Sequence, residues 1–150
     1  MANGDPVDEA ELMLRRFDPA NGRHCWVDQA DGGTKRIAGG ALNYGSDGYS
    51  FFQDSVLEHN DLGRPIILEV PSWAIAGADA GEITNLERGE PPQKLLSVVE
   101  DAYPEGQEGA ARRDVAHALV KLPEEMATKS MTDKWASLIA RHLRPISRDR

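Results

Sequence analysis

Cysteine is all but absent from this chain. Cys25 is the only one in 150 residues, which excludes an internal disulfide framework and suits a reducing compartment. Histidine is scarce as well. His24, His59, His117 and His142 form no H-x-x-x-H or H-E-x-x-H pair, and no C-x-x-C is possible. His24 and Cys25 are adjacent, so on a strand they point to opposite faces, and a zinc site is not expected. Long apolar runs are missing: the longest, Ile66-Ile67-Leu68, ends at Glu69, far short of the roughly 20 residues a membrane span needs. The start, Met1-Ala2-Asn3-Gly4-Asp5-Pro6, has neither the basic segment nor the apolar core of a signal peptide. The expectation is a cytoplasmic protein with no membrane partner.

Catalytic and cofactor motifs are missing too. There is no G-x-S-x-G or S-x-x-K serine signature. The glycine-rich passage at 39–48 matches neither G-x-x-x-x-G-K-[ST] nor G-x-G-x-x-G, and reads as turns between short strands. No cofactor is expected. Repeats and low-complexity tracts are also lacking.

What the chain does have is negative charge, unevenly spread. The formal net is −8. Residues 112–150 hold nine Lys/Arg against five acids, a local +4, which leaves eight basic and twenty acidic groups, a local −12, in residues 1–111. An acidic body repels phosphate backbones and argues against nucleic-acid binding through that surface. It equally suits a basic protein partner.

At this length the chain fits one domain that buries roughly 70% of its unfolded surface. Asp5-Pro6-Val7-Asp8 is a helix-start pattern, and Val7, Ala10, Met13, Leu14 and Phe17 follow at helical spacing up to Pro19. Short strands are predicted at 23–28, 49–53, 65–70 and 115–122, with helices over 73–86 and 95–102. Residues 103–109 read as a loop. The last helix is the best patterned: Ser130 with Asp133 resembles a capping box, and Met131, Trp135, Leu138, Ile139 and His142 share a face up to Pro145. The order predicts a single α+β domain over 1–145, a small mixed sheet with helices packed on one side, and a disordered tail at 146–150.

His117 is the sharpest chemical feature, a polar ring inside an apolar strand. Unpaired burial costs about 1–3 kcal/mol, so it needs a hydrogen-bond partner or a task. The expected role is one internal hydrogen bond. In the alternative reading His117 is an acid/base, and the candidate catalytic residues to find around it are Arg16, Arg36 and Ser50, with Arg112-Arg113 close in sequence. Cys25, beside Trp26 and Val27, is expected to pack as a small hydrophobe.

The same residues carry a resemblance. Arg15-Arg16, then Arg36-Ile37-Ala38-Gly39-Gly40-Ala41-Leu42, then Gly48-Tyr49-Ser50-Phe51, then Asp114-Val115-Ala116-His117-Ala118-Leu119-Val120 follow in order. This resembles a group of short uncharacterised bacterial proteins that repeat an Arg-Arg, a Ser-Ser-Ala-Phe, a Leu-Ser-Val and a Pro-Ala-His-Ala element over a stretch matching residues 12–122. Here Gly39-Gly40 stand where serines would be, Tyr49 replaces leucine and Val115 replaces proline. The resemblance implies a discrete bacterial domain and no particular activity.

The leading expectation is a small acidic protein-interaction domain, an accessory or inhibitory subunit of a bacterial or phage conflict system. The balance leans away from an enzyme. The alternative is a small enzyme acting on a nucleotide or nucleic-acid-derived phosphate substrate through His117.

Overall fold

The computed structural model describes residues 3–28, 34–103 and 111–149. Its frame is set by segments that bury side chains on both faces. Leu12–Phe17 (β1) places Met13 and Phe17 on one face and Leu14 on the other, all at 2% exposure or less. A strand buried on both faces has no polar-apolar alternation, so its apolar positions mimic helical spacing. The helix expected over 6–17 is therefore a strand. Residues 4–7 lie alongside another strand instead, with Gly4 N–H donating to the Glu100 carbonyl and Val7 N–H to that of Val98.

The remaining strands are Cys25–Asp28 (β2), Thr34–Ile37 (β3), Tyr49–Gln53 (β4), Ala74–Asp79 (β5), Ser97–Glu100 (β6), His117–Lys121 (β7) and Arg144–Ile146 (β8). Six of them form one sheet in the order β6-β7-β4-β1-β5-β8, and each of its pairings is antiparallel. The other two make a separate β2–β3 ribbon. The helices are Asp54–His59 (α1), Ala80–Thr84 (α2) and Lys129–His142 (α3). The α+β class holds.

Several elements differ from expectation for tertiary reasons. Residues 73–86 split into β5 and α2, because the small side chains of Ala74, Ala76, Gly77 and Ala78 are selected by close packing in the sheet; a Cβ at Gly77 would sit 2.6 Å from the Met13 carbonyl oxygen. Part of 95–102 becomes the edge strand β6, whose outer edge residues 4–7 cover. The segment expected as a strand at 65–70 is a 3-10 turn, Arg64–Ile67, with Pro65 near its start. Residues 112–116, partly assigned to the His117 strand, form a 3-10 turn, so His117 opens β7 rather than sitting at its centre. Residues 146–149 are anchored rather than a loose tail: Ile146 pairs with Ile75, and Arg148 donates to the Pro71 and Trp73 carbonyls. The loop expected at 103–109 lies mostly outside the described residues.

Both sheet faces are apolar, so both are covered, where the expectation had helices on one side only. Against one face α3 packs Trp135, Ile139 and Ala140 onto Met13, Tyr49, Phe51 and Val120. Thr128, not Ser130, caps this helix, its hydroxyl accepting from Met131 N–H at 3.2 Å. Leu57 of α1, with Leu62 and Ile67, covers Leu14, Phe52 and Ile75 on the other face. Asp54 and Arg64 lock this second layer by a bidentate ion pair at 3.0 Å for each bond, with side chains 14% and 16% exposed. Arg64→Ala is expected to lower stability by about 1–3 kcal/mol in urea melts, because it strips a mostly buried carboxylate of its cation. Arg64→Lys should recover only part of the loss.

Among the described residues, no helix is long and apolar enough to cross a membrane. Cys25 is a buried free thiol whose Sγ lies 3.3 Å from the Pro19 carbonyl.

Candidate functional site

Two neighbouring strands, β4 and β7, and the residue that follows β6 supply one polar side chain each. The β4–β7 register sets Phe52 opposite His117 and Ser50 opposite Leu119, so Ser50 and His117 are diagonal neighbours on one face. On the other side of β7, Asp101 directly follows β6 and continues its ladder, donating its N–H to the His117 carbonyl at 3.1 Å. The result is a chain of hydrogen bonds: His117 Nδ1 to Asp101 Oδ2 at 2.9 Å, and His117 Nε2 to Ser50 Oγ at 2.9 Å. The expectation of a single internal bond is too low, since both ring nitrogens are engaged.

In the neutral ring the order of these groups assigns their polarity. An ionised carboxylate only accepts, which assigns the ring proton to Nδ1, shared with the Asp101 carbonyl at 3.2 Å. Nε2 is then an acceptor, and the Ser50 hydroxyl donates to it. Phe52 meets the imidazole edge-on at 5.6 Å, and Tyr103 lies tilted beside it at 6.0 Å between ring centres. The Asp101 charge pushes the Tyr103 phenol up from its ordinary value, so Tyr103 remains a proton donor. The His117 side chain is 12% exposed and that of Asp101 24%.

Arginines brace this arrangement. Arg15 donates Nη1 to the Ser50 carbonyl at 2.8 Å and Nε to the Ala41 carbonyl at 2.9 Å, fixing the backbone under the serine. Burial, then the Arg16 charge, lowers its guanidinium to about 10, so it stays charged at neutral pH. Arg16 shares with Ser50 the sheet face that carries Leu14 and Phe52. It reaches the Ile67 carbonyl and Glu69 Oε1 at 3.3 and 3.2 Å, and Arg113 meets the same Glu69 oxygen at 3.0 Å. The Glu69 carboxylate thus joins two guanidiniums, with the Asp114 charge also acting on Arg16.

Of the four candidates from sequence, the structure thus gathers Arg16, Ser50 and His117 on one sheet face. Arg36 does not join them: it stands on the β2–β3 ribbon opposite Trp26. Asp101, Tyr103, Arg15 and Arg113 complete the cluster. Asp101 was not foreseeable while 95–102 read as a helix, because its place beside His117 exists only through the β6–β7 pairing. Cavities of 730, 310 and 270 Å³ open elsewhere on the molecule. The glycine-rich passage is no phosphate cradle: a Cβ at Gly40 would fall 2.2 Å from the Arg23 carbonyl oxygen, so glycine there serves close backbone approach. Among the described residues, no three His, Cys, Asp or Glu side chains gather as a metal site.

The hydrogen-bond order Ser–His–Asp, with an acceptor nitrogen facing a hydroxyl, is an arrangement able to activate a serine oxygen as a nucleophile. No protein-family model matches the chain, and no curated protein or solved structure matches it either.

Proposed function

We propose that this protein is a small phosphoester-cleaving enzyme in which Ser50 is the nucleophile, His117 the general base and acid, and Asp101 the group that orients the imidazole. The observation that carries the reading is the pair of 2.9 Å bonds joining Asp101, His117 and Ser50 in that order. Arg16 on the same sheet face, with Arg113 bonded to the same Glu69 oxygen, supports an anionic substrate of nucleotide or nucleic-acid origin. The segments of the bacterial resemblance, Arg15-Arg16, Tyr49-Ser50-Phe51 and Ala116-His117-Ala118, are those that supply Arg16, Ser50 and His117.

The chemistry balances as two displacements. Ser50 Oγ attacks phosphorus and its proton passes to His117 Nε2. The ester oxygen, opposite Ser50, departs as an alkoxide or phenolate that solvent protonates, leaving a phosphoserine and the imidazolium. Water then attacks phosphorus from the vacated side and gives its proton to solvent, while the imidazolium returns its proton to the departing Ser50 Oγ. Asp101 stabilises the imidazolium in each half, while Arg16 and Arg113 offset charge on the phosphoryl oxygens.

A fluorophosphonate probe tests the nucleophile directly. Intact mass is expected to show one phosphonyl adduct, absent in Ser50→Ala, together with release of p-nitrophenolate from bis(p-nitrophenyl) phosphate. His117→Gln keeps a donor and an acceptor of similar reach, so it should fold yet lose both signals.

A second reading has its own support. The low exposure of the His117 side chain, 12%, and the −12 body favour a protein-interaction domain of accessory or inhibitory kind, with the Ser50–His117–Asp101 chain as internal bracing. Absence of both adduct and turnover in the folded wild type would put this reading first.

A further inference from the structure

Two ion-pair networks on this side of the sheet are built differently. Arg64 and Asp54 meet through two bonds between mostly buried side chains, the geometry of a fixed lock. Glu69 instead takes Arg16 Nη2 at 3.2 Å and Arg113 Nη2 at 3.0 Å on one oxygen, Oε1, and its side chain is 52% exposed. Neither arginine has the fork-to-carboxylate geometry that makes such bonds strong, and water reaches the acid. Glu69 also stands outside the helices and strands, in the segment that joins the turn at Arg64–Ile67 to β5. Its neighbour Val70 is exposed, so apolar burial does not fix this part of the segment. Further along, Arg148 Nη1 donates to the Pro71 and Trp73 carbonyls at 2.8 and 3.3 Å.

The place of this carboxylate gives it a consequence. The β1–β4 register pairs Leu14 with Phe52, and carried two residues along it sets Arg16 across from Ser50 on one face. Arg113 lies in the 3-10 turn that leads directly into His117. The two guanidiniums that Glu69 joins therefore belong to the elements that carry or flank Ser50 and His117. Their charge is already balanced, since Asp114 also acts on Arg16. An incoming anion binds here by replacing an anion already present. Asp114 is fixed, because its Oδ2 accepts from the Ala111 N–H of the turn it caps. Glu69 is the acid free to leave. A phosphoryl group presents several oxygens to both guanidiniums at once, where the carboxylate uses one.

We infer that Glu69 is a built-in competitor for a phosphoryl seat formed by Arg16 and Arg113, displaced when an anionic substrate binds and restored when the product leaves. With Arg148 pinning the far end of the segment, Glu69 departs by rotation of its own side chain. The inference rests on the phosphoester-cleaving reading for the identity of the substrate, while the exchange itself is a binding event. Calorimetric titration of the full-length chain with inorganic phosphate at low salt tests it. Glu69→Gln keeps the shape and removes the charge, and it is expected to bind phosphate about tenfold more tightly than the wild type, because two exposed ion pairs no longer compete. Adding Arg113→Ala should cancel the gain, which separates a vacated seat from a general loss of negative charge. Melting temperatures verify folding, and Arg113→Gln replaces the alanine variant if that one unfolds. Ser50→Ala should show the same gain from Glu69→Gln, since the nucleophile takes no part in the exchange. A wild type with neither adduct nor turnover would remove the enzymatic reading and leave this titration to decide the seat. A folded Glu69→Gln that binds phosphate no better than the wild type would overturn the inference. So would a gain that survives the loss of Arg113, or no binding by Glu69→Gln at millimolar phosphate.

Discussion

Trp135→Ala is expected to lower the unfolding free energy by about 3–5 kcal/mol, the range for deleting a fully buried indole. Trp135 is wholly buried at the middle of α3, among Tyr49, Phe51 and Ile139 of the larger core. Its Nε1 has no hydrogen-bond partner among the described residues, so the loss is one of apolar contact and cavity formation, with no polar group orphaned. The same helix is tied to the sheet by the Tyr49 hydroxyl, which donates to the Thr132 carbonyl, and loosening α3 should expose that bond to water. Urea unfolding monitored by far-UV circular dichroism measures the effect. A loss below about 1 kcal/mol would mean that α3 is peripheral to stability, contrary to its burial.

Asp101→Asn is expected to leave the fold intact and to reduce turnover of bis(p-nitrophenyl) phosphate by about 10³–10⁴-fold. The physical cause is the tautomer. A carboxylate only accepts, and holds the proton on Nδ1, whereas an amide can turn its NH₂ toward the ring. Nδ1 then becomes the acceptor, the proton moves to Nε2, and the imidazole donates to Ser50 Oγ instead of accepting from it. At 24% exposure, the Asp101 side chain tolerates the isosteric change, so the melting temperature should stay within a few degrees of wild type. A folded Asp101→Asn retaining turnover within about tenfold of the wild type would remove Asp101 from the mechanism.

Residues whose environment is local were legible from sequence. The face Trp135, Ile139 and the strand around Phe51 and Phe52 follow from 3.6- and 2-residue periodicities that need no partner to be read. Leu12–Phe17 was not legible, because what makes it a strand is the company of β4 and β5 on either side, and a strand buried on both faces loses its alternation. Ser97–Glu100 is four residues long, too short for its alternation to be read apart from its pairing with β7. Part of the candidate site was legible for the same kind of reason. Arg16, Ser50 and His117 stand out as polar residues in apolar surroundings. Arg36 stands out equally, yet belongs to a ribbon that the chain places elsewhere.

From its own composition and local order, the chain determined an acidic α+β domain, a C-terminal amphipathic helix and a histidine in need of a partner, since charge, periodicity and the cost of burying a lone imidazole all act within one element. Which partner His117 takes was decided only by tertiary structure. Asp101 and Ser50 lie 16 residues before it and 67 residues before it, and only the β6-β7-β4 ladder brings them to opposite nitrogens of one ring. Strand register is a property of paired backbones, and a single sequence read along its length does not contain it.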